Sequence, residues 1–98
     1  MHVAALELDL HVPEARSLKA KRAAVKPIVE TVRRRFSVAV AEVGHHDQWQ
    51  RARIGVAAVA GTAGHVTDVL DEVERYVWAQ PGVEVLSATR SWLEVDGA

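Results

Sequence analysis

The feature that most constrains this chain is the order in which two hydrophobic periods follow one another. Residues 2–12 alternate, with Leu6, Leu8, Leu10 and Val12 on one side and Glu7, Asp9 and His11 on the other, which is the period of a strand with one buried face. Pro13 closes this strand, and Ser17 is placed to cap a helix by accepting from one of its unpaired amides. From there the period changes. Leu18, Val25, Val29, Val32 and Phe36 recur at spacings of three, four and seven, with Ile28 widening the stripe, so a helix running to about Phe36 presents one apolar face. Pro27 falls inside it, where a missing donor and a clash one turn back cost ~3 kcal/mol. Because Pro27 lies opposite the stripe, the pattern predicts a kink around the core, with two short helices as the alternative. Residues 37–43 and 53–60 read as strands joined by a polar loop, 44–52. Thr62 caps a second helix whose buried stripe is Val66, Val69, Leu70, Val73 and Val77, and Gln80-Pro81-Gly82 stops it. Val83–Val95 supplies a last strand, bent near Ser87 or Ser91.

Strand, helix, strand, strand, helix, strand is the split βαβ order. It predicts an α+β, ferredoxin-like βαββαβ sandwich: a four-stranded antiparallel sheet with two helices on one face and the other face open. At 98 residues the chain suits a single domain, 1–98, with a real core. Strand-like residues begin directly after Met1, which leaves no room for an export signal. No apolar run approaches the ~18 residues of a membrane span. There is no cysteine, so disulfides and thiolate metal sites are excluded and a cytoplasmic location is the simplest expectation.

Net charge is only −1, but it is unevenly distributed. Eight of the twelve basic residues, Arg16, Lys19, Lys21, Arg22, Lys26, Arg33, Arg34 and Arg35, fall between positions 16 and 35, where Glu30 is the single acid. From Val66 onward seven acids face only Arg75 and Arg90. A positive surface opposite a negative one follows. On a helical wheel Lys19, Arg22, Lys26 and Arg33 lie within about 60° of one another, beside the apolar stripe, and groups seven residues apart stand ~10 Å apart along the axis. Such a row is able to follow a phosphate backbone without reading bases; the plainer alternative is a solvated flank, with Arg22 reaching over the core edge.

The open sheet face lacks the aromatic residues on which RNA bases stack; its third strand offers Gly55, Ala57 and Val59 instead. Small apolar residues there suit a second protein layer, so homo-oligomerisation through this face is the second expectation. The loop His45-His46-Asp47-Gln48-Trp49-Gln50-Arg51 concentrates polar and aromatic groups. Asp47, Trp49, Gln50 and Arg51 are its candidate contact residues, or Trp49 anchors the loop on the sheet edge with Gln50 and Arg51 supplying hydrogen bonds. No second ligand pair at a metal-binding spacing accompanies the two histidines, and no metal or other cofactor is expected. Glu7, Asp9 and His11 share a strand face that polarity alone explains. Gly61-Thr62-Ala63-Gly64 lacks the lysine of a phosphate loop and reads as a cap. The chain contains no asparagine, against the Arg and Asn pairing of acylphosphatase sites on this kind of fold. No catalytic residue and no small-molecule substrate emerge.

Three stretches carry a resemblance. Arg16-Ser17-Leu18-Lys19-x-Lys21-Arg22, Arg35-Phe36 with Val38-x-Val40-Ala41-Glu42-Val43, and Asp47-x-Trp49-Gln50-Arg51-Ala52 together resemble the YlxP-like family of small bacterial proteins, a domain of unknown function. The resemblance spans nearly the whole chain and implies a ferredoxin-like fold. The family's genes commonly neighbour those for translation initiation factor two and ribosome-binding factor A, which implies ribosomal RNA or the small ribosomal subunit as a partner. It brings no catalytic residues. Pro27 departs from the family's uninterrupted first helix.

Overall fold

A computed structural model describes residues 1–93. The elements are β1 (His2–His11), α1 (Leu18–Phe36), β2 (Ala39–Gly44), β3 (Arg51–Ala60), α2 (Ala63–Trp78) and β4 (Glu84–Leu93). The strands form one sheet in the order β2-β3-β1-β4, antiparallel throughout. Both helices pack on one face of it, as the order of periods requires. Leu6, Leu8 and Leu10 of β1 are fully buried between Val25, Ile28 and Val32 of α1 and Val66, Leu70, Val73 and Val77 of α2. Each such aliphatic side chain contributes about 1.5–3 kcal/mol by leaving water.

The caps lie where the sequence places them. Ser17 Oγ accepts from the Ala20 amide at 3.0 Å, and Thr62 Oγ1 accepts from the His65 amide at 3.2 Å. α1 is one helix with Pro27 inside it, which sets aside two short helices; Pro27 is exposed, away from the packed face. Its buried line is Lys21, Val25, Ile28 and Val32, so Ile28 is central rather than marginal and a lysine occupies the core face. β2 starts two residues later than the pattern of 37–43 suggests, because Ser37 ends α1 in the left-handed conformation, φ 53°. β3 starts two residues earlier, at Arg51, which pairs with His11. The expected bend in the last strand falls near Ser87, where the register against β1 shifts between the Leu10–Val85 and Asp9–Ser87 pairs. Val95, the expected end of that strand, lies outside the described residues.

One backbone bond sets the phase of the whole sheet. The Val12 amide donates to the Gln50 carbonyl at 2.9 Å, so even-numbered residues of β1 bond to β3 and odd-numbered ones to β4. Carried outward through the pairings, this phase leaves the N–H and C=O groups of Val40 and Glu42 facing away from the sheet on β2, and those of Ala88, Arg90 and Trp92 facing away on β4.

Candidate functional site

α1 lies over the β2 side of the sheet and carries the basic row on its outer flank. Lys19, Arg22, Lys26 and Arg33 are all exposed. Among the described residues no carboxylate lies within 4.0 Å of the charged nitrogens of Lys19, Arg22 or Lys26. Arg33 differs: it donates to Glu30 Oε1 at 3.1 Å and to the Val40 carbonyl at 2.8 Å. Between α1 and β2 runs an open groove of about 400 Å³ lined by Val25, Val29 and Ala41 together with Arg22, Lys26, Arg33 and Glu42.

Lys21 was not singled out as a site residue by sequence, although it stands four positions before Val25 and so on the buried face. Its side chain is fully buried, and its ammonium donates to Glu42 Oε1 at 3.1 Å, the His45 carbonyl at 2.8 Å and the His46 carbonyl at 3.4 Å. All three N–H donors therefore have partners, the condition for holding such a charge inside a protein. The bonds tie α1 to the start of the β2–β3 loop. His45 adopts φ 59°, a strained conformation for a non-glycine residue, and its carbonyl also accepts from the Gln48 amide at 3.1 Å.

The loop residues divide by role. Gln50 turns inward and donates to the Pro13 and Ala15 carbonyls, both at 3.2 Å. Arg51 donates to Asp9 Oδ2 at 2.7 Å. Trp49 is 55% exposed, which corrects the reading of its indole as the loop's anchor: Gln50 and Lys21 do the anchoring. Asp47 is exposed. Asp9 stands among Arg51, Arg53 at 3.5 Å and His45 at 3.6 Å. The hydrogen bond from Arg51 holds its carboxyl below the ordinary 3.8 against the opposing pull of burial, with the charges of Arg51, His45 and Arg53 adding to it. His11 Nδ1 lies 3.2 Å from Glu84 Oε2, and Glu7 remains exposed on the same open face. Farther along that face, Ala5, Ala39, Ala41, Ala57 and Val43 line a shallow apolar depression of about 390 Å³. Gly55 leaves room there for Val43, whose Cγ1 would lie 2.9 Å from an added Cβ.

Among the described residues no three His, Asp or Glu side chains stand together as metal ligands would, and no helix is long and apolar enough to cross a membrane. Arg51, Arg53 and Arg90 of the sheet all pair with carboxylates, whereas among the described residues Lys19, Arg22 and Lys26, like Arg16, Arg34, Arg35 and Arg75, have no carboxylate within 4.0 Å.

Residues 3–90 match the model of a protein family described as "Protein of unknown function (DUF503)". The chain belongs to this family. A curated relative, the "Uncharacterized protein YlxP" of Bacillus subtilis (strain 168), is 33% identical over 86 residues, covering 88% of this chain and 94% of the relative. Among solved structures, a de novo designed protein with ferredoxin fold is similar at a TM-score of 0.48 and 16% identity, over 100% of this chain and 90% of that one.

Proposed function

We propose that this protein is a non-enzymatic binding module that holds RNA of the small ribosomal subunit along the outer flank of α1. The observation that carries this reading is the division among its cations: Lys19, Arg22 and Lys26 stand exposed and, among the described residues, unpaired in one row beside the groove, while the basic groups of the sheet are neutralised within the fold. Unpaired cations in a row release counterions from a polyanion on contact, with no need to read its bases. The gene neighbourhood of the resembling family supports ribosomal RNA as that polyanion. Trp49, exposed on the adjoining loop, supplies a secondary stacking contact for an unpaired base.

The test is co-sedimentation with small ribosomal subunits across a salt series, comparing the protein with a Lys19→Glu, Arg22→Glu, Lys26→Glu variant. Arg33 is left intact because its bond to Val40 belongs to the fold. The expected result is binding that weakens steeply with salt, and a folded variant whose affinity falls at least tenfold with a salt slope shallower by ~2. Binding that ignores salt, or a variant that binds as well as the parent, overturns the reading.

A further inference from the structure

The two edges of the sheet are finished differently. On the β2 edge the outward carbonyls of Val40 and Glu42 are both covered, by Arg33 at 2.8 Å and by His46 Nε2 at 3.2 Å, and a register shift between Glu42 and Gly44 interrupts the strand. These are the devices by which proteins block strand addition. Among the described residues the β4 edge has its own register shift near Ser87 but no such cover beyond it: the outward groups of Ala88, Arg90 and Trp92 meet no side-chain donor or acceptor. α2 reaches β4 through Arg90, which donates to Asp71 Oδ1 at 2.7 Å and to Glu74 Oε1 at 3.2 Å.

An indole stands on each side of this ion pair. Trp78 follows Glu74 by one turn on the same face of α2, and Trp92 follows Arg90 by two residues on the same face of β4. Because β4 begins where α2 ends, these offsets run in opposite directions, and they are nearly equal: ~6 Å along the helix and ~7 Å along the strand. Trp78 is 60% exposed and Trp92 48%, unusual for a side chain that interfaces concentrate.

We propose that the β4 edge is an interface between two copies of this chain, the two β4 strands pairing antiparallel about a two-fold axis at Arg90 to make a continuous eight-stranded sheet. This register lets the outward groups of Ala88 bond those of the partner's Trp92, and the reverse, while the small Ala88 side chain leaves room for the indole. The equal offsets bring Trp92 of one copy level with Trp78 of the other at both ends, so the surface is complementary to itself. Two half-exposed indoles, Leu86 and the strand edge offer on the order of 500–700 Å² per copy, against ~800 Å² in a standard interface, which fits a dimer of micromolar affinity. Each copy brings two carboxylates and one arginine to the axis, so salt strengthens this association by screening their repulsion. The open sheet face is the competing surface; half of it carries the Asp9, Arg51 and Arg53 ions, which a second sheet would desolvate.

Sedimentation equilibrium of the full chain from about 10 µM to about 1 mM, at low and high salt, tests this. The parent is expected to dimerise, more tightly at high salt. Trp92→Lys is expected to raise the dissociation constant at least tenfold, and Ala88→Pro to do the same, since proline is tolerated where a strand's N–H faces solvent. Circular dichroism establishes that each variant is folded; Trp92→Lys decides the matter if Ala88→Pro is not. Ala57→Glu, on the open face, is expected to leave the dimer unchanged. A parent that stays monomeric overturns the proposal, as does a dimer that survives Trp92→Lys or is lost in Ala57→Glu.

Discussion

The two margins of this sheet put their charges to opposite uses. At β2 two cations of α1 are engaged by the fold: Lys21 is buried on Glu42 and two loop carbonyls, and Arg33 covers the strand edge. At β4 the single cation, Arg90, is held back by α2, and among the described residues no side chain covers the strand edge. Closing the β2 edge makes that side a rigid wall against which Lys19, Arg22 and Lys26 face solvent. Leaving β4 unclosed keeps a hydrogen-bonding margin available. A stretch of like charge is therefore not one functional unit, and neighbouring lysines two positions apart on α1 have unrelated roles.

The contrast breaks most visibly at Lys21. Lys21→Ala leaves Glu42 and the His46 carbonyl without the ammonium and the His45 carbonyl with only the Gln48 amide, and is expected to cost about 3–5 kcal/mol in urea unfolding; a loss below about 1 kcal/mol would mean the loop is held by other groups. Arg33→Ala removes a charge-assisted bond to Val40 and is expected to cost about 1.5–3 kcal/mol. It also uncovers the β2 edge, so new concentration-dependent association should appear by light scattering. Arg90→Ala at the other margin loses two partly exposed pairs and is expected to cost no more than about 1 kcal/mol, because β4 is held by its pairing with β1. If Arg90→Ala proves costlier than Arg33→Ala, the asymmetry between the margins is wrong.

The smallest effect is read in acid. Asp9, between the two margins, has its carboxyl held below 3.8 in the fold. The unfolded state therefore binds the proton first, so the stability Asp9 contributes is complete above that value and is lost as pH falls through the lower folded one. Thermal unfolding should fall more steeply below about pH 4 in the parent than in Asp9→Asn.

Much of the architecture was legible in the chain because its signals are local. Leu6, Leu8 and Leu10 announce a half-buried strand, Ser17 and Thr62 mark helix starts, and the stripe from Val66 to Val77 declares the buried side of α2. Strand limits were less legible: Ser37 ends α1 through a left-handed turn that serine composition does not announce, and Arg51 joins β3 because His11 lies opposite. Of the candidate surface, the exposure of Lys19, Arg22 and Lys26 beside the apolar stripe was readable from the wheel. The engagement of Arg33 was not, since its partner is a carbonyl on another element. Trp49 misled as an anchor because an indole in a polar loop signals burial or contact equally.

By itself the sequence determined the order of elements, the two-layer arrangement and the concentration of positive charge on the first helix, since periodicity and composition act over a few residues. The tertiary structure alone decided which cations are free. Pairing of Lys21 with Glu42, Arg33 with Val40 and Arg90 with Asp71 and Glu74 depends on strand register and helix placement, which bring together groups remote in the chain. No local pattern encodes those distances.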